Sequence, residues 1–223
     1  MQEINWTLEE LALLKANSCI LQLSSHEIIF NEDSPADYIY YIRKGHIKHY
    51  HNTVTGKEII VSICKSGEII GLPAVLLREN RGVFAKTMEK CVLWRISRDE
   101  FIKILEKNIN ISIKLIMIFC SYVRNYEYRL EDLLAANTEA KVASLLCHLA
   151  GKRKEDKYYI DYRITHQEMA NMIGACRQTV TEILGRFQDK GLIRMDKNNA
   201  LEIPSWDDLY RVNSLKERNV SNL

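Results

Sequence analysis

Arg177-Gln178, with Thr181 and Glu182 a turn later, is the part of this 223-residue chain whose side chains best suit directional chemistry. The planar fork of an arginine matches the O6 and N7 acceptors of guanine, and a glutamine amide suits adenine while tolerating other base edges. If the segment is helical, residues 177, 178, 181 and 182 share one face. Thr165, Gln167 and Thr179 can donate to phosphates, which sets register without reading sequence, and His166 lies among them. Cys176 precedes the run. A thiol at a helix N-terminus has a lowered pKa, and an oxidised sulfur there would repel a phosphate backbone; its plainer role is that of a small residue chosen for close packing.

The elements that must hold these residues are legible around them. Thr165 is a good N-cap, with Glu168 three residues on to complete a capping box. Met169, Ala170 and Ile173 then recur at helical spacing, and Gly174 sits where a helix end wants a left-handed residue. A second helix is expected from about Cys176, burying Val180, Ile183, Leu184 and Phe187 and leaving Arg177, Gln178, Thr181 and Glu182 outward. Two short helices joined by a tight turn make a helix-turn-helix, which sets such residues against base edges in the DNA major groove. An ordinary helical hairpin with a solvated polar face is the plainer alternative. Arg194 to Ile203 reads as a hairpin wing with Asp196-Lys-Asn-Asn at its turn.

A second run, His46, His49 and His51, has metal-like types. On a strand, His49 and His51 share a face and His46 points to the other, so a cupin-like β-roll metalloprotein using His49, His51 and Glu58 is an alternative of another class. The spacing to Glu58 is longer than a cupin's and no second histidine follows downstream, which favours solvated histidines on an exposed strand. The six cysteines, at 19, 64, 91, 120, 147 and 176, never lie two or three residues apart, so zinc-knuckle and iron–sulfur spacings are missing. They read as small apolar residues in a reducing compartment.

Composition sets the bounds. Hydrophobic content of 47% and charged content of 27% describe a globular protein of one large or two small domains. Net charge is +2, and residues 137–223 hold 14 Lys+Arg and 12 Asp+Glu, so DNA affinity must come from a local patch rather than a general field. The apolar run from Ile109 to Val123 is broken by Asn110, Ser112, Lys114 and Ser121 and is too short to cross a bilayer. Met-Gln-Glu-Ile-Asn-Trp opens the chain without a basic region followed by an apolar one. A cytoplasmic protein without a membrane partner is expected.

Residues 18–96 alternate in strand fashion. His26 to Phe30, Tyr38 to Ile42, His46 to Tyr50, Glu58 to Ile63 and Cys91 to Ile96 read as short strands, with Lys44-Gly45, Thr55-Gly56 and Ser66-Gly67 between several of them. Many short strands imply a sandwich or β-roll. Trp6 to Ala16 and Arg98 to Lys107 read as flanking helices. From Ile109 to about Ala136 the pattern becomes one long helix. Ile116, Cys120, Val123, Glu127, Leu130 and Leu134 form one stripe, and Leu115, Phe119, Tyr122, Tyr126 and Leu133 a second. Two adjacent stripes suit a helix that buries one against its own domain and offers the other to a second copy. Asn137-Thr138-Glu139 reads as a hinge and fresh N-cap for a helix over 140–150, followed by a polar loop over 151–156 and a strand from Tyr158.

A strand-rich first part, a long helix and a C-terminal winged helix-turn-helix together resemble the cyclic-AMP receptor protein/FNR (Crp/Fnr) family of bacterial transcription regulators, over about Trp6 to Tyr210. The most specific pieces are Asp37 to Gly45, Gly56-Lys-Glu-Ile-Ile-Val-Ser-Ile with Gly67-Glu-Ile-Ile-Gly71, and Gly174 to Leu184. The resemblance implies an α+β fold with three parts. These are a cyclic-nucleotide-binding-like β-roll (a double-stranded β-helix) over 1–108, a dimerisation helix over 109–136, and a winged helix-turn-helix over 137–223. It implies a homodimer on a palindromic double-stranded DNA operator, RNA polymerase as a partner, and a regulator rather than an enzyme. DNA contacts then fall to Thr165, His166, Gln167, Cys176, Arg177, Gln178, Thr179, Thr181 and Glu182.

Departures from the family pattern bear on the effector. Members that bind cyclic nucleotides carry Glu after the glycine matching Gly71, and an Arg-Ser pair further on. This chain has Leu72 and Arg81-Gly82, and Tyr126-Glu127 replaces a Thr-Ser pair on the long helix. A phosphate needs paired donors and a cationic partner, so these changes argue against cyclic AMP. The first residues contain only Cys19, which excludes an N-terminal iron–sulfur cluster. Arg177-Gln-Thr-Val is similar to a haem-binding gas-sensor branch, yet no histidine lies between Asn52 and Leu146, where a haem ligand would sit. A small organic effector, and no certain cofactor, is therefore expected in a pocket formed by Gly71, Leu72, Arg81, Phe119, Tyr122 and Tyr126.

Overall fold

Apolar residues at every second position build two four-stranded antiparallel sheets in the first part of the molecule. The computed structural model describes residues 6–133, 137–154, 157–196 and 200–212, and the chain divides into two units, 1–124 and 125–223. The first unit runs α1 (Leu8–Ala16), β1 (Cys19–Leu23), β2 (Ile28–Phe30), β3 (Tyr38–Lys44), β4 (Ile47–Asn52), β5 (Glu58–Cys64), β6 (Ile69–Ile70), α2 (Leu72–Leu77), β7 (Phe84–Thr87), β8 (Cys91–Ser97) and α3 (Arg98–Lys107). A long helix, α4 (Ile109–Leu133), then runs past the division. One sheet has strand order β1-β8-β3-β6 and the other β2-β7-β4-β5.

The first of these sheets is buried on both faces. Along β3, Ile39 and Tyr41 join a core with Leu14 of α1, Leu72 and Val75 of α2, Phe101 and Ile104 of α3, and Ile111 and Leu115 of α4. Tyr40 and Ile42 point the other way, into the roll, with Phe30, Ile47, Cys64, Ala85 and Leu93. Alternation along a strand makes this division unavoidable. Strand β8 repeats it, with Trp94 and Ile96 on the helix side and Cys91 and Leu93 inside the roll. The indole of Trp6 donates to the Gly67 carbonyl at 2.9 Å and meets Tyr41 edge-on at 6.3 Å.

The second unit follows as α5 (Thr138–Leu149), β9 (Lys152–Lys154), β10 (Lys157–Ile160), α6 (His166–Ile173), α7 (Arg177–Asp189), β11 (Arg194–Met195), β12 (Leu201–Ile203) and α8 (Trp206–Arg211). Its strands form a sheet of order β11-β12-β10-β9, and α5 packs against α6, α7 and α8. The fold is α+β: a strand-rich roll with flanking helices, then a winged helix-turn-helix.

Several local expectations need correction. Asn137 is the N-cap, its Oδ1 accepting from Ala140 N at 2.7 Å, so Thr138 and Glu139 already lie in α5. The expected polar loop over 151–156 contains β9, which pairs antiparallel with β10. Strands β1, β6 and β7 and the short helix α2 carry too few residues for periodicity to single them out. At the wing, Ala200 N donates to Asp196 Oδ1 at 2.8 Å and Asp196 N to the Ala200 carbonyl at 2.9 Å; residues 197–199 of the expected turn lie outside the described residues, as do 134–136 of the long helix.

Gly45, between β3 and β4, has φ +98°, and a Cβ there would meet Cys91 Sγ at 2.5 Å and the Lys90 carbonyl at 3.0 Å. Gly45→Ala should therefore cost about 2–4 kcal/mol, from left-handed strain plus a clash with backbone. Gly56→Ala, at φ +77° with no neighbour within 4 Å, should cost only about 1 kcal/mol. Urea denaturation midpoints of the two variants check the contrast.

Candidate nucleic-acid interface

Helix α6 begins as the residue types require. The Thr165 hydroxyl oxygen accepts from Glu168 N at 3.1 Å, and Glu168 Oε2 accepts from Thr165 N at 2.9 Å, closing the capping box. Gly174 ends the helix at φ 69°. Met169, Ala170, Ile173, Val180, Ile183, Leu184 and Phe187 are buried, which leaves the polar sides of α6 and α7 outward. Cys176 is the N-cap of α7, and its exposed thiol lies 2.9 Å from the Thr179 hydroxyl. That hydrogen bond, with backbone N–H groups of the helix start, lowers the thiol pKa.

The nine residues expected to face DNA divide into two groups. Most of the small donors are engaged inside the protein. The Thr165 hydroxyl reaches Glu168 Oε2 at 2.9 Å. Gln167 Nε2 donates to Asn171 Oδ1 at 2.8 Å. His166 Nδ1 lies 2.8 Å from Thr181 Oγ1, and the Thr181 hydroxyl lies 2.9 Å from the Arg177 carbonyl. Arg177, Gln178 and Glu182 are exposed, and their side chains make no hydrogen bond or ion pair among the described residues. They are the side chains of the face with spare bonding capacity. Glu139 was missed in the sequence: it binds Arg186 at 3.0 Å and Lys190 at 3.4 Å, neutralising the basic end of α7. Only its separation from them by about fifty positions hid the contact.

Of the six residues expected around an effector, those of the first unit lie on two sides of one sheet. Arg81 is buried, its Nη1 donating to the Gly71 carbonyl at 3.0 Å and its Nη2 to the Tyr38 carbonyl at 2.5 Å. Its guanidinium lies 4.3 Å from the centre of the Phe30 ring. A Cβ on Gly71 would come within 2.4 Å of Arg81 Nη1, so the glycine makes room for the arginine. Leu72 is instead 1% exposed on the helix side of the sheet, where Phe119 also packs. Tyr122 meets Phe119 edge-on at 6.4 Å, and Tyr126 is exposed in the second unit. Along α4, Ile116, Cys120, Val123, Glu127 and Leu130 are all exposed, whereas Leu115 is buried; Leu134 lies outside the described residues.

The histidine run is not metal-like, and two of its side chains are partly solvated, His46 being 16% and His51 43% exposed. His46 Nδ1 lies 2.6 Å from Glu89 and His51 Nδ1 2.6 Å from Glu32. His49 turns into the roll, 3.1 Å from Ser62 Oγ and 3.6 Å from Cys64 Sγ, with its ring 6.1 Å from Phe30. Glu58, the supposed third ligand, holds Lys48 at 2.5 Å. The pairing of β4 with β5 shifts register at His49/Tyr50, so simple alternation fails there. Among the described residues no three His, Cys, Asp or Glu side chains come together to hold a metal, which removes the cupin-like alternative built on His49, His51 and Glu58.

Comparison with known proteins agrees with this geometry. Residues 20–108 match the family model for the cyclic nucleotide-binding domain, and residues 140–212 that for the Crp-like helix-turn-helix domain. The chain belongs to the Crp/Fnr family. It is a DNA-binding transcription regulator of that family. It is 25% identical over 201 residues to the anaerobic regulatory protein of Bacillus subtilis, covering 88% of this chain and 84% of that protein. It is also 25% identical over 176 residues to a CRP-like cAMP-activated global transcriptional regulator of Mycobacterium tuberculosis, covering 78% and 79%. FixK2 from Bradyrhizobium japonicum shares the fold with a TM-score of 0.77 at 16% identity, covering 88% of this chain and 98% of that one. CooA from Carboxydothermus hydrogenoformans does so at 0.75 and 16% identity, covering 93% of each. Among the described residues of this Crp/Fnr protein, no helix is long and apolar enough to cross a membrane.

Burial holds the His49 imidazole down at about 4, and the nearby Arg81 charge pushes the same way. The unfolded chain takes up this proton near pH 6.5 and the folded one only near 4, so folding loses stability as pH falls through that window. The loss attributable to His49 should be on the order of 3 kcal/mol. Urea titrations at pH 7 and pH 4.5 should give a wild-type difference that shrinks by that amount in His49→Leu.

Proposed function

We propose that this chain is an effector-responsive regulator that binds a palindromic operator as a homodimer, and that it is not an enzyme. The observation that carries the reading is the outward trio Arg177, Gln178 and Glu182, unpartnered on the first turns of α7. Arg177 reads guanine and Gln178 an adjacent base, while Thr165, His166, Gln167, Cys176, Thr179 and Thr181 support the docking surface. Residues 1–108 act as sensor, 109–136 as dimerisation helix and 137–223 as DNA reader. RNA polymerase is the further partner, and the cytoplasm the place of work.

The effector is a small organic molecule rather than cyclic AMP. Leu72 offers no carboxylate for a ribose, and Arg81 already holds two backbone carbonyls. Haem finds little support, because no histidine occurs between Asn52 and Leu146. Mass spectrometry of ligand released from purified protein, with an absorbance spectrum, tests this part.

Selection of duplexes from a random-sequence pool tests the operator: a palindromic consensus is expected, and no consensus would remove the proposal. Arg177→Ala should then weaken specific binding by about 1–3 kcal/mol and relax choice at one base position per half-site, as measured across single-base variants.

The homodimer rests on the apolar stripe of α4. Ile116, Val123 and Leu130 are 61%, 58% and 61% exposed, more than a lone helix face leaves in water without reason. Val123→Asp would set a carboxylate beside its symmetry mate, which costs several kcal/mol unless the chains separate. Sedimentation at micromolar concentration should find that variant monomeric and folded, and operator binding should be lost with the second recognition helix.

A further inference from the structure

The geometry points to His166 and Thr181 as a positioning pair that fixes how α7 presents Arg177, Gln178 and Glu182 to DNA. This inference rests on α7 being the DNA-reading helix and goes beyond it by taking Thr181 out of the set of base readers.

The apolar contacts between α6 and α7 are non-directional, so by themselves they leave α7 free to roll or slide slightly on α6. The turn between the helices is short, and Gly174 ends α6 in a left-handed conformation. His166 is the first residue of α6 and Thr181 lies on the second turn of α7. Their side chains meet at 2.8 Å, the one side-chain hydrogen bond described between these helices. Its polarity follows from counting protons. Thr181 has a single hydroxyl hydrogen, which goes to the Arg177 carbonyl at 2.9 Å. The Thr181 oxygen must therefore accept from His166, so Nδ1 carries the hydrogen and Nε2 the lone pair.

Three consequences follow. The Thr181 hydroxyl is fully used, and reading a base would require breaking two bonds. The bond ties the start of α6 to the turn of α7 that carries Arg177, Gln178 and Glu182. Base recognition tolerates misplacement of only about 0.5 Å or 10–20°, so a small roll of α7 degrades specific contacts while leaving phosphate contacts nearly intact.

The test uses a duplex recovered by the full-length protein from a random-sequence pool, with a scrambled duplex as control. Thr181→Val and His166→Phe should each weaken binding to the selected duplex about three- to tenfold, the worth of one hydrogen bond. Scrambled-duplex binding should not change, and the melting temperature should fall by no more than the few degrees that one hydrogen bond is worth. Thr181→Ser should restore wild-type affinity, and the double variant should be no weaker than the weaker single one. Should Thr181→Val fail to fold, Thr181→Ala takes its place in the cycle. Losses that multiply in the double variant, losses equal on both duplexes, or failure of Thr181→Ser to rescue would each overturn the pair. Arg177→Ala separates the two levels. If it weakens selected-duplex binding while the pair variants do not, the pair alone is wrong; if neither does, α7 is not the reading helix.

Discussion

A sheet that is apolar on both faces must be covered twice, and strands β3 and β8 impose that requirement on the first unit. Ile39 and Tyr41 demand one covering layer and Tyr40 and Ile42 another, because successive side chains leave opposite sides of a strand. The second sheet closes over one face and makes a roll. Helices α1, α2 and α3 and the first turns of α4 close over the other. Each fully buried aliphatic side chain contributes about 1.5–3 kcal/mol relative to exposure, so leaving either face open would cost more than a domain of this size can spare. Once Ile111 and Leu115 are held in that layer, the helical repeat turns Ile116 and Val123 outward. The exposed stripe of α4 thus follows from the burial of the stripe beside it.

Inside the roll Arg81 is engaged by the protein itself. Arg81 is buried with an aromatic ring against its guanidinium and two backbone carbonyls as acceptors. A charged group can stand there because its donors are met and its flat face is covered. Gly71 is the geometric complement, since a side chain at that position would occupy the space of the guanidinium. His49 stays neutral beside the same positive charge. The interior of the roll thus holds the Arg81 cation, the neutral His49 imidazole and the Phe30 ring together.

The DNA-facing surface obeys a different economy of bonds. Net charge is nearly balanced, and Glu139 offsets two of the basic residues on α7, so attraction to phosphate is local. Capping and inter-helix hydrogen bonds engage Thr165, Gln167 and Thr181, and rigidity of the supporting face is the result. Arg177, Gln178 and Glu182 remain exposed beside them, which is why they carry the proposed base reading. Positioning groups and reading groups are separated in this way on one short stretch of chain.

Much of the architecture was legible in the sequence, because it rests on local periodicity. The capping box of Thr165 and Glu168, the left-handed end at Gly174, the bounds of α3 and the outward stripe of α4 from Ile116 to Leu130 all follow from spacings within one or two helical turns. Strands β3, β4, β5 and β8 were visible for the same reason. The sequence could not reveal what depends on distant partners. His46, His49 and His51 looked like one cluster, yet Glu89, Ser62 and Glu32 draw them apart, and a register shift in β4 breaks the alternation that joined two of them. Leu72 and Arg81 looked like neighbours in one pocket, yet Leu72 packs on the helix side of the sheet and Arg81 within the roll. Types and periods determine which elements form, since they act over a few residues; which hydroxyl, carbonyl or carboxylate completes each polar side chain is decided only when the sheets and helices close upon one another.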